Sequence, residues 1–222
     1  MKNKRFLPIA LSVLLCVMMC SCSDILGIDN SDYAMERALN THSPDSDISE
    51  TLKKICTVLT FCPVQTVCFD TWQDVSSEYV DIVLEYLVGT YFEKYSANGK
   101  MFDLLAEKYP ELTINTLIPA EDLSNTVYEF FGGDIHIKHK DTAQFTYLDK
   151  INAYILTGRL SFDYTAVQMI HIEETDNTYR ATVRFSRNGT SFDNDYSIIF
   201  RKRDDGRAPY IHSVNISNTV QW

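Results

Sequence analysis

The segment Tyr179-Arg180-Ala181-Thr182-Val183-Arg184-Phe185-Ser186 decides the fold class of this chain. Its residues alternate between apolar and polar without a break. This twofold period is typical of a β-strand that has one face on the core and one face in water. The segment therefore predicts a central antiparallel strand whose polar face carries Arg180 and Arg184.

Turn-forming residues on both sides of this strand predict further antiparallel strands. The turns are Asp176-Asn177, Asn188-Gly189 and Asp204-Asp205-Gly206. The strands that they separate cover residues 163–175, 179–186, 195–203 and 210–217, and residues 135–140 alternate in the same way. The second half of the chain is therefore predicted to form an antiparallel meander over about residues 134–217.

The first half of the chain has helical periodicity instead. Apolar residues recur at three- and four-residue steps within residues 47–62, 77–95, 101–108 and 119–131. Helices followed by an antiparallel meander predict an α+β domain, in which N-terminal helices (about residues 47–132) pack on a curved sheet. The helix of residues 77–95 has the widest apolar side, so we expect it to be central and Leu87 to lie in the core.

The N-terminus is typical of an export signal. Three basic residues precede an apolar run over residues 6–19, which is shorter than the roughly 20 residues of a membrane-spanning helix. Ser21-Cys22 follows and resembles the lipobox of bacterial lipoproteins, which implies cleavage after Ser21 and acylation of Cys22. Cleavage before Cys20 is the alternative. The chain then consists of a signal peptide (1–21), a polar tether (22–46) and a single α+β domain (47–222).

The charge of the chain limits its partners. The formal net charge is −10 over 222 residues, and the acidic residues concentrate in the first half. Nucleic acids and anionic lipid headgroups are therefore poor partners for the molecule as a whole, and we expect no nucleic acid. The expected partners are the membrane, through the N-terminal lipid, and a protein or an anionic component of the cell envelope.

Three cysteines follow Cys22, and their chemistry is open. Cys56, Cys62 and Cys68 are spaced by six residues each. The alternatives are buried or unpaired thiols, one disulfide, assigned to Cys62 and Cys68, and a metal site. The metal site is disfavoured because structural zinc sites use closer cysteine pairs and a fourth ligand.

Residues 119–217 carry a resemblance to a known group of proteins. The motifs are Phe130-Phe131-Gly132 at a helix end, the alternating residues 135–140, and the terminal Ile211-His212-Ser213-Val214. They are similar to those of uncharacterised lipoproteins of Gram-positive, clostridial type. The shape also resembles the nuclear transport factor 2-like cone, in which a curved sheet wraps a long helix. The resemblance implies a compartment and a shape, and no activity.

The sequence contains no catalytic or cofactor-binding motif of familiar spacing, and we expect no cofactor. Glu78, Asp81 and Glu85 share one side of the helix at 77–95; they form either a solvated helix face or, in a cleft, a carboxyl with a raised pKa. The remaining polar candidates are expected to have structural roles, as strand histidines or turn residues: His136, His139, His171, His212 and Asp193-Asn194-Asp195.

The remaining site candidate is a basic sheet face. Four arginines are predicted to lie opposite the apolar residues of two adjacent strands: Arg180, Arg184, Arg201 and Arg203. Their guanidinium groups could bind phosphate or carboxylate, or could serve only as solvent-exposed charged residues that hydrate the outer face of the sheet. We therefore expect a lipid-anchored, non-enzymatic binding domain outside the bacterial cell membrane. The alternative is an enzyme that uses a cone-type pocket with a carboxylate or histidine as its acid–base residue.

Overall fold

The computed structural model describes residues 38–61, 68–69, 77–96, 99–133, 135, 137–160, 165–187 and 190–217. These residues belong to a compact unit that begins at Arg37. The predicted signal peptide, Cys22 and most of the predicted tether lie outside the described residues. No helix in the described part of the chain is long and apolar enough to cross a membrane.

The first half of the described chain is mainly helical, and the second half consists mainly of β-strands. In chain order they are β1 (Asn40–His42), α1 (Asp47–Cys56), a 3-10 helix (Thr57–Phe61), α2 (Ser77–Thr90), α3 (Phe92–Tyr95), α4 (Lys100–Lys108), β2 (Ile118–Pro119), α5 (Ala120–Phe131), β3 (Phe145–Leu148), a 3-10 turn (Asp149–Ile151), β4 (Ala153–Leu156), β5 (Thr165–Glu174), β6 (Thr178–Arg187), β7 (Thr190–Arg201) and β8 (Tyr210–Ile216). The mixed α+β fold class is therefore confirmed.

A five-stranded antiparallel sheet forms the larger layer, with strand order β1-β5-β6-β7-β8. The turn predicted between β5 and β6 is present, and the Thr175 amide donates to the Thr178 carbonyl at 2.9 Å. Val183 in β6 lies opposite Met169 in β5 and Tyr196 in β7, and all three are buried. The apolar residues of the alternating segment thus face the core, as the sequence predicts.

The helices cover this core face. Ser46 caps α1 by accepting a hydrogen bond from the Ser49 amide at 3.2 Å, and α1 then approaches both β5 and β8. These two strands are three positions apart in the sheet, so α1 crosses the sheet. The C-terminal helix α5 approaches β8 and ends at Gly132, whose φ of 94° favours glycine.

Helix α2 is central, as predicted, but it is not the helix nearest the strands. Leu87 is 2% exposed, and apolar residues on several sides of α2 are buried with it. The backbone of α2 runs closest to the 3-10 helix and to α5, whereas α1, the 3-10 helix and α5 run closest to the strands. An apolar surface this wide needs cover from several neighbours, which a single sheet face does not provide.

A second, three-stranded sheet with the order β2-β4-β3 was not predicted from the sequence. Its strands are two to four residues long, too short to show a period. The predicted strand at residues 135–140 is wrong, because Ile135 and residues 137–140 belong to no strand. Side chains fix this segment instead, as described below.

Strand β1 places part of the predicted tether in the sheet. Asn40 to His42 pair with Glu174 to Ile172 of β5. The Glu174 carboxylate contacts His42 Nε2 at 2.7 Å and Lys202 Nζ at 2.7 Å, and these contacts lower its pKa, with the Lys202 hydrogen bond as the largest cause. The residues that can serve as a tether therefore end before residue 40.

Candidate anion-binding site

The outer face of the five-stranded sheet carries the arginines that the sequence singled out. On β6, Arg180, Thr182 and Arg184 alternate with the buried Ala181, Val183 and Phe185, so they point away from the core. Arg180 lies opposite Glu173 on β5 and Ile199 on β7. The four predicted arginines have different surroundings.

Arg184 has an acceptor within the fold. Its Nε and Nη2 donate to the two carboxylate oxygens of Asp195, the residue opposite it on β7, at 2.7 and 2.8 Å. This bidentate contact raises the pKa of Arg184. It also assigns Asp195, part of the predicted turn sequence 193–195, to a strand. Arg184 is therefore engaged in a cross-strand pair.

Arg203 is not on the sheet face, because β7 ends at Arg201. Its Nη2 donates to the carbonyls of Tyr128 and Glu129 in the last turn of α5, at 2.7 and 3.0 Å. Its guanidinium carbon lies 4.9 Å from the ring centroids of both Tyr128 and Tyr210. Arg203 thus donates to the Glu129 carbonyl and adds a second donor to the Tyr128 carbonyl, which also accepts from the Gly132 amide at 3.1 Å, and its role is structural.

Arg180 differs from both. It is only partly exposed, and its Nε and Nη2 are buried without a hydrogen-bond acceptor among the described residues. Its cross-strand neighbour Glu173 contacts His171 Nε2 at 3.3 Å instead. A buried donor without an acceptor costs about 1–3 kcal/mol, more when it is charged. The position of Arg180 therefore favours any anion that can reach it.

Two further side chains extend this basic surface across the next strands. Arg201 is exposed and lies on the outer face of β7, two residues from Ile199, which is opposite Arg180. His212 is the extra residue of a bulge in β8, since Ile199 pairs with Ser213 and Phe200 with Ile211. Burial lowers the pKa of His212, and the charge of Arg201 lowers it further.

We call Arg180, Arg201 and His212 the outer basic site. Its members stand on three adjacent strands and present guanidinium and imidazole donors, the groups that hold carboxylate and phosphate oxygens in proteins. Sequence reasoning found the two arginines but missed His212, because a bulge cannot be read from the alternation of residues 210–217.

A buried acidic pair lies on α2. Asp81 is 8% exposed and accepts hydrogen bonds from the Thr142 hydroxyl and, at 3.0 Å, from the Ala143 amide. Glu85, one turn later, is half-buried, and burial together with the nearby Asp81 charge raises its pKa to about 7. The interpretation of this helix side as fully solvated is therefore wrong, and Glu85 can exchange a proton near neutral pH. The side chain of Glu78 lies outside the described residues.

Tyr154 fixes the segment that was predicted to be a strand. It is fully buried in β4, and its hydroxyl lies 3.1 Å from His139 Nδ1. The His139 ring also stacks on Tyr147, with ring centroids 5.3 Å apart. Burial raises the pKa of Tyr154 to about 12 and lowers the pKa of His139. Tyr154 and Asp81 together hold residues 139–143 in place. The Tyr154 hydroxyl and the Asp81 carboxylate are engaged in these hydrogen bonds.

Among the described residues, the other predicted site residues form no reactive or metal-binding group. Cys56 is a buried thiol, and burial raises its pKa, so it stays protonated. The predicted Cys62–Cys68 disulfide cannot be placed, since Cys62 lies outside the described residues, as do His136 and the side chain of Asp193. Within the described ranges, no three His, Cys, Asp or Glu side chains are grouped to hold a metal ion.

Comparison of the chain with known protein families, with curated proteins and with solved structures finds no match.

Proposed function

We propose that this chain is a lipid-anchored binding domain, outside the cytoplasmic membrane of a bacterium, that holds an anionic group of its partner at the outer basic site. The observation that carries the proposal is the pair of buried Arg180 donors without an acceptor among the described residues. The partner class is a protein or envelope component that presents carboxylate or phosphate. No cofactor takes part.

The anchor in this proposal is a diacylated or triacylated Cys22. It is supported by the basic start, the short apolar run and Ser21-Cys22. Several acyl chains on one residue would hold the domain firmly, since a single chain gives only marginal membrane binding. Cys22→Ala should release the protein from membranes or leave it as the precursor. Mature protein with an unmodified Cys22, found by mass spectrometry, would refute the anchor.

The proposal also includes the cone-like curvature of nuclear transport factor 2-like folds. The crossing of the sheet by α1, from β5 to β8, supports it, because a curved sheet brings its distant strands toward one helix. A cone leaves its outer surface convex and open to large partners. The outer basic site lies on that surface.

An acidic protein can bind anions only through positive charges that act over short distances at the binding site. The net charge of −10 repels anions at long range, so attraction at the outer basic site acts only over short distances. The Debye length falls from about 10 Å at 0.1 M salt to about 3 Å at 1 M salt. Binding should therefore be tight enough to detect at low salt and should vanish at high salt.

Retention on anionic resins tests this directly. The full chain, in a non-ionic detergent, is applied to phosphocellulose and to carboxymethyl cellulose at low salt. An acidic protein without a basic site flows through both resins, and we expect this protein to be retained and then eluted by added salt. The resin that retains it more strongly identifies phosphate or carboxylate as the preferred group.

The variants make the test specific. Arg180→Gln combined with Arg201→Gln should abolish retention. Arg207→Gln provides a matched control, since Arg207 is exposed, donates to Asp205 at 2.6 Å and lies in the turn before β8. Flow-through of the wild-type chain, or equal retention of all variants, would refute the proposed site.

A second candidate function is acid–base catalysis, favoured by Glu85. A half-buried carboxyl with a pKa of about 7 is close to the optimum for proton transfer at neutral pH. Chromogenic p-nitrophenyl esters and glycosides provide a screen for hydrolysis. If Glu85 is the acid–base residue, Glu85→Gln should lower the rate by about 100-fold or more. Hydrolysis that survives this substitution, or no hydrolysis at all, removes this candidate.

A further inference from the structure

Arg180 and Arg184 hold equivalent positions on β6 but face different residues. Across the β6–β7 ladder, Arg180 lies opposite Ile199, and the second arginine lies opposite Asp195. The register between the two strands is unbroken from Thr178 to Arg184. Residues an even number of positions apart on a strand point to the same side and form the same kind of cross-strand pair. Ile199 therefore occupies, beside Arg180, the place that Asp195 occupies beside the second arginine.

The Arg184–Asp195 pair shows which group fits this face of the sheet. Nε and Nη2 of Arg184 donate to the two oxygens of one carboxylate at 2.7 and 2.8 Å. These two nitrogens form one edge of the planar guanidinium, which matches the spacing of carboxylate oxygens. On Arg180, the same two nitrogens are the ones that are buried without an acceptor among the described residues. The edge that binds a carboxylate on Arg184 is therefore unused on Arg180.

The charges around Arg180 favour an anion of low charge. Glu173 lies opposite Arg180 on β5, and its carboxylate contacts His171 Nε2 at 3.3 Å. Arg201 and His212 each have a further interaction within the fold, so the two-donor edge belongs to Arg180 alone. A phosphate group carries about −1.5 to −2 charges near neutral pH, against −1 for a carboxylate. The additional charge gains little beside Arg180, because Glu173 repels it and the net charge of −10 opposes it.

We infer that the outer basic site holds a single carboxylate of the partner, which accepts from Nε and Nη2 of Arg180 in the geometry of the Arg184–Asp195 pair. This inference rests on the proposed function and narrows its ligand from carboxylate or phosphate to carboxylate. Folding has already removed water from the two donors, so the ligand gains their hydrogen bonds without that desolvation cost. Ile199 determines this specificity, because an acidic residue there would satisfy Arg180 within the fold.

Replacing Arg180 by lysine separates the two-donor edge from the positive charge. Arg180→Lys keeps the charge but removes the two parallel donors. We expect the full chain with Arg180→Lys to flow through carboxymethyl cellulose, as Arg180→Gln does. Arg207→Lys, in the turn before β8, is the matched control and should be retained like the wild type. Retention of Arg180→Lys equal to that of the wild type would overturn the inference, since the charge alone would then be sufficient.

A carboxylate supplied by the fold should close the site. Ile199→Asp places an acceptor opposite Arg180, as Asp195 is placed on the same strand, and should abolish retention on carboxymethyl cellulose. Ser197→Asp is the matched control, because it adds the same charge to the same strand face but lies opposite Thr182. We expect Ser197→Asp to remain bound. Equal loss of retention in the two variants would show that repulsion by the added charge is sufficient, which contradicts an occupied edge.

Titration with two small anions separates this inference from the proposed function. The Arg180 Nε–H resonance is followed by NMR while sodium acetate or inorganic phosphate is added at constant ionic strength and near-neutral pH. We expect both anions to shift it saturably, acetate at an about threefold lower concentration than phosphate. If phosphate saturates the resonance at the lower concentration, the inference is wrong and the anion site stands. If neither anion shifts it, the proposed site is wrong, and the inference fails with it.

Discussion

The two faces of the five-stranded sheet differ in how completely their side chains are satisfied. On the core face, Val183, Phe185 and Tyr196 are fully buried, and the Phe185 and Tyr196 rings meet edge to face at 5.5 Å. On the outer face, Arg184 is paired with Asp195, whereas Arg180 has buried donors and no acceptor among the described residues. The core face is filled by packed apolar side chains, whereas the outer face contains charged donors whose surroundings differ from one arginine to the next.

Under the proposed function, the core face contributes stability and the outer face contributes binding. Close packing leaves the core face no room for a partner, and its residues contribute stability. A donor that the fold leaves without an acceptor contributes no stability, so its retention on the outer face fits a role in binding. Substitutions on the two faces should therefore have very different effects on unfolding.

The largest effect is expected on the core face. Phe185→Ala should lower the free energy of unfolding by about 3–5 kcal/mol, because it leaves a cavity at a fully buried position. Urea denaturation followed by circular dichroism measures this loss. Thr182→Ala, on the outer face of the same strand, is the matched control and should change stability by no more than about 0.5 kcal/mol. Similar losses for the two variants would mean that the faces are not distinct.

A smaller effect is expected at the end of α5, where an arginine is fully used by the fold. Arg203→Ala should lower the free energy of unfolding by about 1–2 kcal/mol, since the Glu129 carbonyl loses its donor, the Tyr128 carbonyl loses one of two donors, and two tyrosine rings lose their stacked cation. Arg207→Gln, which removes an exposed ion pair, should change the free energy of unfolding much less. Equal effects in urea denaturation would contradict the structural role of Arg203.

The acidic pair on α2 should make stability depend on pH. The pKa of Glu85 is raised in the folded state from its ordinary value to about 7, so folding favours the protonated form. Its contribution is fully present below the unfolded-state pKa and is lost as the pH rises through about 7. Glu85→Gln should therefore stabilise the protein at pH 8, by on the order of 1 kcal/mol after allowing for solvent screening.

Thermal unfolding of both proteins at pH 5 and pH 8 measures this effect. We expect the melting temperatures to differ more at pH 8 than at pH 5. If the difference in melting temperature between the wild type and Glu85→Gln is the same at pH 5 and pH 8, the pKa of Glu85 is not raised by the fold.

The smallest expected effect is a change in the free energy of unfolding that has opposite signs for substitutions of Arg184 and Arg180 on β6. Arg184→Met should lower the free energy of unfolding slightly, because it leaves Asp195 without its partner. Arg180→Met should leave stability unchanged or raise it by up to about 1 kcal/mol, because it removes buried donors without acceptors. Equal destabilisation by the two substitutions would show that Arg180 is also satisfied within the fold.

The fold was predicted correctly in segments long enough to show a helical or twofold period. The strand at 179–186 and the helix at 119–131 have enough residues to show which face is buried, and the structure buries those faces. The segment 135–140 also alternates, yet it forms no strand. The buried Tyr154 hydroxyl contacts His139 of this segment, and Asp81 holds Thr142 and Ala143 directly after it; such long-range contacts leave no local pattern.

The candidate site was predicted only in part, for the same reason. Alternation placed Arg180 and Arg184 on the outer face, but not the pairing of Arg184 with Asp195 or the departure of Arg203 to the end of α5. Which arginine remains without an acceptor depends on strand register. The bulge that adds His212 also depends on pairing between β7 and β8.

The most direct test of the outer basic site observes the arginine side chains themselves. NMR spectra of the Nε–H groups, recorded while inorganic phosphate is added at constant ionic strength, separate Arg180 from Arg184 and Arg203. We predict a saturable shift of the Arg180 resonance, with the resonances of Arg184 and Arg203 unchanged, because those two donors already have acceptors. A resonance of Arg180 that does not move, or that moves linearly together with the other two, would contradict the site.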